Sequence, residues 1–201
     1  MYQFIHIETY AREASTKTPT KAKASTPQGR LAALGGANAP KGKASARDVI
    51  NEALRNDDHC NHVEAPQSPT YLVGDLGDML TLLPEIERKA AAEKERTGKA
   101  PRKDMHVLLA GVASYPRALA DADPKGHERW EQATVKWLQK KYGDALRVVL
   151  RHEDEAHPHI HFFVLDRHEL NAKKRHDGYI ASAHAPMSKE GTQLFNDAMR
   201  D

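Results

Sequence analysis

Two apolar segments separated by a short turn constrain the fold of this chain more than any other feature of its sequence. In ALRVVLRH, the side chains of Leu146, Val148 and Leu150 alternate with others, and HIHFFVLDR follows after the turn EDEAHP. Successive side chains of a strand point to opposite faces, and two strands joined by a short turn pair antiparallel. The sequence therefore predicts an antiparallel hairpin over residues 145–167.

This hairpin carries three histidines that we expect to converge. His159 and His161 are two residues apart and project from one face, while His152 ends the preceding strand and reaches the same place. Three imidazoles that leave coordination positions open are typical of a catalytic metal centre, and imidazole suits manganese, zinc, nickel or cobalt. In the turn, Asp154 and Glu155 could orient the ligands, complete the coordination or take protons.

The remaining patterns predict further strands and helices around the hairpin. Strands are expected at residues 2–8, 71–73 and 106–115, and helices at 45–55, 76–96, 124–142 and 188–201. Proline suits the first turn of a helix and disrupts an interior, so we expect a new helix to begin at Pro84. In the helix 124–142, Trp130 and Trp137 could stack on nucleic-acid bases, but their helical spacing favours the core.

Composition limits the classes of protein to which the chain can belong. No apolar run approaches the roughly 20 residues of a membrane helix, and the first residues do not resemble a signal peptide. The single cysteine, Cys60, excludes an intrachain disulfide framework, so we expect a cytoplasmic protein.

A basic segment follows the first predicted strand. Residues 11–47 contain eight Lys or Arg and one acidic residue, Glu13, so the segment is either a phosphate-binding surface or a solvated linker. We expect residues 11–45 to be a flexible insertion that becomes ordered on DNA. The candidate DNA-binding residues are Lys17, Lys21, Lys23, Arg30, Lys41, Lys43 and Arg47.

The run WEQATVKWLQKKYGDALRVVLRHEDEAHPHIHFFVL resembles the core of plasmid mobilisation relaxases, and most closely the MobV (Pre/Mob) branch of the HUH endonucleases. That family has an aromatic-rich helix ending in Lys/Arg-Tyr-Gly, then a strand and the metal motif His-x-Asp-Glu-x-x-Pro-His-x-His. The motif keeps every spacing here, at His152, Asp154, Glu155, Pro158, His159 and His161. The resemblance is strong over residues 104–166.

The resemblance implies an α/β (α+β) fold whose central antiparallel sheet carries the histidines, with helices on the other side. It implies one relaxase-type nuclease domain over residues 1–201, the N-terminal domain of a longer protein. Such an enzyme binds single-stranded or hairpin origin DNA, aided by accessory transfer proteins, and nicks and rejoins one strand through a covalent 5′-phosphate intermediate. The expected cofactor is manganese or magnesium, with zinc, nickel or cobalt as alternatives.

The nucleophile is the part of the site that the resemblance leaves open. Family members carry a histidine on the first helix, and alignment by INEA places Ile50 at that position. An isoleucine side chain cannot attack phosphate. The candidates are then Tyr10, which we prefer because phenols are common in relaxases, and His62 or His59 in the loop after the helix. Glu52 could orient a ligand histidine, or it is simply a solvated helix carboxylate.

Three other functions fit parts of this pattern. A replication initiator or transposase would share the metal motif. A non-catalytic DNA-binding protein would keep the fold after losing the nucleophile, as Ile50 allows. A histidine-rich metal-binding domain without a DNA role fits less well, because of the basic segment.

Overall fold

A five-stranded sheet forms the centre of the protein. The structure is a computed structural model and describes residues 4–14, 44–56 and 59–173. The strands are β1 (Phe4–Ala11), β2 (Thr70–Val73), β3 (His106–Ser114), β4 (Leu146–His152) and β5 (His159–Val164). They lie in the order β1-β3-β5-β4-β2, and every neighbouring pair is antiparallel. The predicted antiparallel sheet is confirmed.

Helices flank this sheet, as predicted for the fold class. They are α1 (Ala46–Ala53), α2 (Leu76–Thr97), α3 (Arg117–Ala122) and α4 (Pro124–Tyr142), and a 3-10 turn at Gly143–Ala145 follows α4. No helix among the described residues has the length and apolar character that crossing a membrane requires.

The helices cover both faces of the sheet and bury two apolar cores. On the face that carries the histidines, Phe163 packs with Ile50 of α1 and Leu82 of α2. On the opposite face, Phe162 packs with Leu138 of α4. The resemblance implied helices opposite the histidines, and the structure adds α1 and α2 on the histidine face itself.

Local sequence explains where α1 and α4 begin. The Ser45 side chain accepts from the backbone N–H of Asp48, whose carboxylate accepts from the backbone of Ser45, so α1 starts with a capping box. Asp123 caps α4 and Pro124 occupies its first turn. The prediction of a helix over 124–142 is therefore confirmed to the residue.

The prediction that Pro84 starts a new helix was wrong. The helix α2 runs through Pro84 without a break. Proline removes one backbone hydrogen bond from a helix interior. Met79, Leu82 and Ile86 are all buried on the two sides of Pro84, so packing against the sheet offsets the lost bond.

The first strand is longer than predicted, and this alters the predicted insertion. β1 extends to Ala11, which forms a parallel bridge with Ser45. The two ends of the basic segment are thus adjacent at the start of α1. Residues 15–43 and the predicted helix at 188–201 lie outside the described residues.

Candidate metal centre

The β4–β5 hairpin brings three histidines together at one end of the sheet. His152 pairs directly with His159, and Leu150 pairs with His161, so the three imidazoles project from one face. One ligand nitrogen from each ring can be chosen so that all three lie within 4.8 Å of one another. The ring centroids are 4.9 to 5.3 Å apart. This spacing allows the three rings to bind one ion.

Two hydrogen bonds determine which nitrogens face that position. Nε2 of His152 donates to the carbonyl of Ala53 at 3.0 Å, and Nδ1 of His159 donates to the carbonyl of His157 at 2.9 Å. The second ring nitrogen of each therefore carries a lone pair. Nδ1 of His152 is buried and has no hydrogen-bond partner within the described part of the chain. Because buried polar atoms are normally satisfied, this nitrogen fits a metal ligand.

Burial and neighbouring groups favour the neutral form of two of the three rings, His152 and His161. Burial, with the nearby Arg55 guanidinium and His159, lowers the pKa of His152 to about 4. Burial, together with His159 and His152, also lowers the pKa of His161 well below its ordinary value. Neutral imidazole is the form that binds metal, so both rings are ready to act as ligands near neutral pH.

A cavity of about 250 Å³ opens beside the triad. Its lining includes His159, His161 and the carboxylates of Glu52 and Glu155. The position of the cavity leaves room for a substrate next to a bound ion. All four residues were predicted from the sequence as site residues.

Glu155, which lines this cavity, lies close to both His159 and His62. One oxygen of Glu155 lies 3.7 Å from Nε2 of His159 and 3.6 Å from Nε2 of His62. The same nitrogen of His62 lies 3.8 Å from an oxygen of Glu52. A half-exposed histidine thus lies between two carboxylates next to the triad.

Tyr10 lies on the same face of the sheet but in a more apolar setting. It pairs with Leu108 on β3 and packs against the core beneath α1 and α2. Burial raises the pKa of Tyr10 to about 12, and the charges of Glu8 and Glu52 add to this. Its phenol is therefore harder to deprotonate than an exposed tyrosine.

The first helix offers no nucleophile at the position expected from the family. Ile50 is buried in the core. Of the other candidates, His59 receives a hydrogen bond at 3.2 Å from the amide of Asn51. Arg47 is exposed on α1, and the other six basic candidates lie outside the described residues. Trp130 is a buried core residue, and Trp137 is half-buried.

Sequence reasoning missed Arg55, which follows α1. Its guanidinium donates to both oxygens of Asp154, at 2.9 and 2.6 Å, and to Glu155 at 2.8 Å. Asp154 also accepts from the backbone N–H of Gln67. Asp154 therefore contacts Arg55 and the chain near Gln67. No local pattern reveals a contact between residues 99 positions apart.

Comparison with known proteins gives one family and one fold. The Mob_Pre family model, described as a plasmid recombination enzyme, matches residues 51–194. A comparison with curated proteins found no significant match.

Two similar solved structures are forms of one protein. The first, the MobM relaxase domain (MOBV; Mob_Pre) bound to 26-nucleotide pMV158 oriT DNA, has a TM-score of 0.51 and 12% identity, covering 100% of this chain and 87% of that one. The second, the same domain bound to pMV158 oriT DNA in a manganese-bound crystal structure, has a TM-score of 0.46 and 14% identity, covering 100% and 86%. At this identity the first match shows a shared fold.

Proposed function

The chain belongs to the Mob_Pre family of plasmid recombination enzymes, whose model matches residues 51–194, and we propose that it is a metal-dependent relaxase. It would nick and rejoin one DNA strand at the transfer origin of a plasmid or mobile element. The observation that carries this proposal is the buried triad beside a cavity of about 250 Å³, in which Nδ1 of His152 has no hydrogen-bond partner among the described residues.

The substrate we propose is single-stranded or hairpin origin DNA. The MobM relaxase domain, which shares the fold, is described as bound to oriT DNA, and this supports the assignment. The participation of accessory transfer proteins and the place of this domain in a longer chain stay predictions.

The cation would be held by Nδ1 of His152, Nε2 of His159 and the ring of His161. We propose manganese or magnesium as this cation. Zinc, nickel and cobalt are the alternatives that imidazole ligands also suit. When bound, the ion would polarise the scissile phosphate and stabilise the charge that develops on it.

We assign the nucleophile to His62 in preference to Tyr10. His62 is half-exposed and lies 3.6 Å from Glu155, which in turn lies 3.7 Å from His159. The raised pKa of Tyr10, about 12, opposes formation of the phenoxide that an attack by tyrosine requires. This reverses the preference drawn from the sequence.

The proposed step balances as a transesterification. Nε2 of His62 lies 3.8 Å from Glu52 and 3.6 Å from Glu155, so one of these carboxylates would accept its proton while Nδ1 attacks phosphorus. The new N–P bond forms as the P–O3′ bond breaks. The ring proton leaves through a carboxylate, and a proton is returned to the 3′ oxygen as a hydroxyl. Rejoining is the reverse of this step.

The test uses purified protein, Mn²⁺ and labelled single-stranded origin DNA on a denaturing gel. We expect a covalent adduct with wild type and with His168→Ala, an exposed control histidine, and none with His62→Ala. An adduct through histidine is labile in acid, whereas one through tyrosine survives it. Loss of the adduct in Tyr10→Phe, with an acid-stable wild-type adduct, would assign the nucleophile to Tyr10 instead.

One observation favours an alternative function, a non-catalytic DNA-binding protein. Ile50, which alignment by INEA places at the family's histidine position, is buried, as it would be in a DNA-binding protein that has lost its nucleophile. DNA binding by wild type without a nick or adduct, across candidate origin sequences, would favour this alternative. Efficient nicking of replication-origin or transposon-end DNA alone would favour an initiator or transposase.

A further inference from the structure

Arg55 has a left-handed backbone conformation, which residues other than glycine rarely adopt. Its φ is 59°, and it is the only non-glycine residue with positive φ in the described part of the chain. Arg55 directly follows Leu54, the C-cap residue of α1, at a position where glycine or asparagine is usual. A strained residue of this kind persists only where its surroundings hold it, which makes it a candidate for a functional role.

This conformation delivers a buried guanidinium to the turn of the metal hairpin. The Arg55 side chain is 4% exposed and the Asp154 side chain 1% exposed. Two parallel hydrogen bonds join them, and Nη2 of Arg55 also donates to Glu155 at 2.8 Å. Such a planar, bidentate contact fixes the direction of a carboxylate more firmly than a lysine ammonium could.

The end of α1 thus contacts both the first strand of the hairpin and its turn. The carbonyl of Ala53 accepts from His152 at the end of β4, and Arg55, two residues later, binds Asp154 and Glu155 in the turn. Arg117 supports the turn from α3, but it contacts the carbonyl oxygens of Glu153 and Glu155 and not their carboxylates. Among these contacts, Arg55 is the one that holds the Glu155 carboxylate.

We propose that Arg55 is a positioning residue for the metal centre and acts through Glu155. By holding one oxygen of Glu155, it keeps that oxygen between His159, at 3.7 Å, and His62, at 3.6 Å. Glu155 then presents this oxygen beside the metal-facing nitrogen of His159 and beside the proposed nucleophile in one arrangement. The part of this role that concerns His62 rests on the proposed function, whereas the part that concerns His159 rests on metal binding alone.

Arg55→Lys tests this role because it keeps the charge and removes the fork of donors. Manganese affinity is measured by calorimetry on variants whose circular dichroism shows a folded protein. We expect Arg55→Lys to weaken Mn²⁺ binding by roughly 10-fold or more, as losses of outer ligand contacts do. The matched control is Arg147→Lys, which alters an arginine–glutamate pair with Glu85 away from the triad and should leave Mn²⁺ affinity unchanged.

A double-mutant cycle then asks whether Arg55 acts through Glu155. Glu155→Gln alone should weaken Mn²⁺ binding, and adding Arg55→Lys to it should cause little further loss. Unchanged Mn²⁺ affinity in folded Arg55→Lys, or losses that simply add in the double variant, would overturn the proposal. If Arg55→Lys does not fold, Glu155→Gln tests the same link, and wild-type Mn²⁺ affinity in that variant would overturn it.

Failure of this proposal is distinguishable from failure of the proposed function. The first appears as Mn²⁺ affinity that does not respond to Arg55 or Glu155. The second appears as absence of a covalent DNA adduct with wild-type protein.

Discussion

Nε2 of His152 lies 3.0 Å from the carbonyl oxygen of Ala53, so the last residue of α1 is joined directly to the metal hairpin. This bond leaves Nδ1 of His152 as the nitrogen that faces the other two rings. The helix α1 thus supplies the acceptor that fixes the tautomer of His152. A buried imidazole without such an acceptor would have no fixed tautomer.

The triad should account for metal binding by the protein. Replacing His159 or His161 with Ala removes one of three ligands, and we expect Mn²⁺ affinity to fall by at least roughly 100-fold, the upper range for losing only an outer contact. Calorimetry measures this. His168→Ala removes an exposed histidine outside the hairpin and should bind as wild type does. Equal affinity in His161→Ala and wild type would contradict the site.

Metal binding should also stabilise the fold. An ion that binds the native state alone adds about 2.7 kcal/mol when its free concentration is about 100 times Kd. We therefore expect Mn²⁺ to raise the midpoint of thermal unfolding and EDTA to reverse the rise. The same titration with His161→Ala should produce no shift. A shift of equal size in that variant would place the binding elsewhere.

The hairpin and its histidines could be predicted because they follow from local periodicity. Side chains alternate along a strand, and this places His159 and His161 on one face whatever the rest of the chain does. The helix over 124–142 could be predicted for a similar reason, because Asp123, Pro124 and Gly143 mark its two ends. These features need only neighbouring residues.

The features that could not be predicted depend on tertiary contacts. The continuity of α2 through Pro84 results from burial of residues on both sides of the proline, which overrides a local rule. The role of Arg55 depends on a left-handed backbone and a partner 99 positions away. The choice between Tyr10 and His62 depends on the burial of Tyr10 and on the carboxylates near His62, which only the tertiary structure shows.

The core beneath α4 should be far less tolerant of truncation than the exposed part of α2. Leu138 is fully buried against Phe162 and its neighbours, whereas Leu80 is 56% exposed. We expect Leu138→Ala to lower the free energy of unfolding by about 2–5 kcal/mol. Leu80→Ala, the same substitution on another helix, should change it by about 0.5 kcal/mol or less. Urea denaturation of the two variants checks this. Similar losses in both would contradict the burial of Leu138 in the core beneath α4.

The metal-free protein should lose stability as the pH falls from about 6.5 towards 4. The pKa of a histidine in the unfolded chain is about 6.5. Burial, with Arg55 and His159, lowers the pKa of His152 to about 4 in the folded protein. The unfolded chain therefore gains a proton in this range while folded His152 stays neutral. The stability that neutral His152 contributes is complete above pH ~6.5 and is lost as the pH falls towards 4. The full difference for this one group is on the order of 3 kcal/mol.

Urea denaturation in EDTA at about pH 7.5 and about pH 5 measures this loss. In His152→Gln the titrating group is gone, so the difference in unfolding free energy between the two pH values should be smaller than in wild type. His168→Gln serves as the control, because His168 is exposed and its removal should leave most of the difference in place. An equal difference in wild type and His152→Gln would mean that the neutral, buried state of His152 does not contribute to the acid sensitivity of the fold.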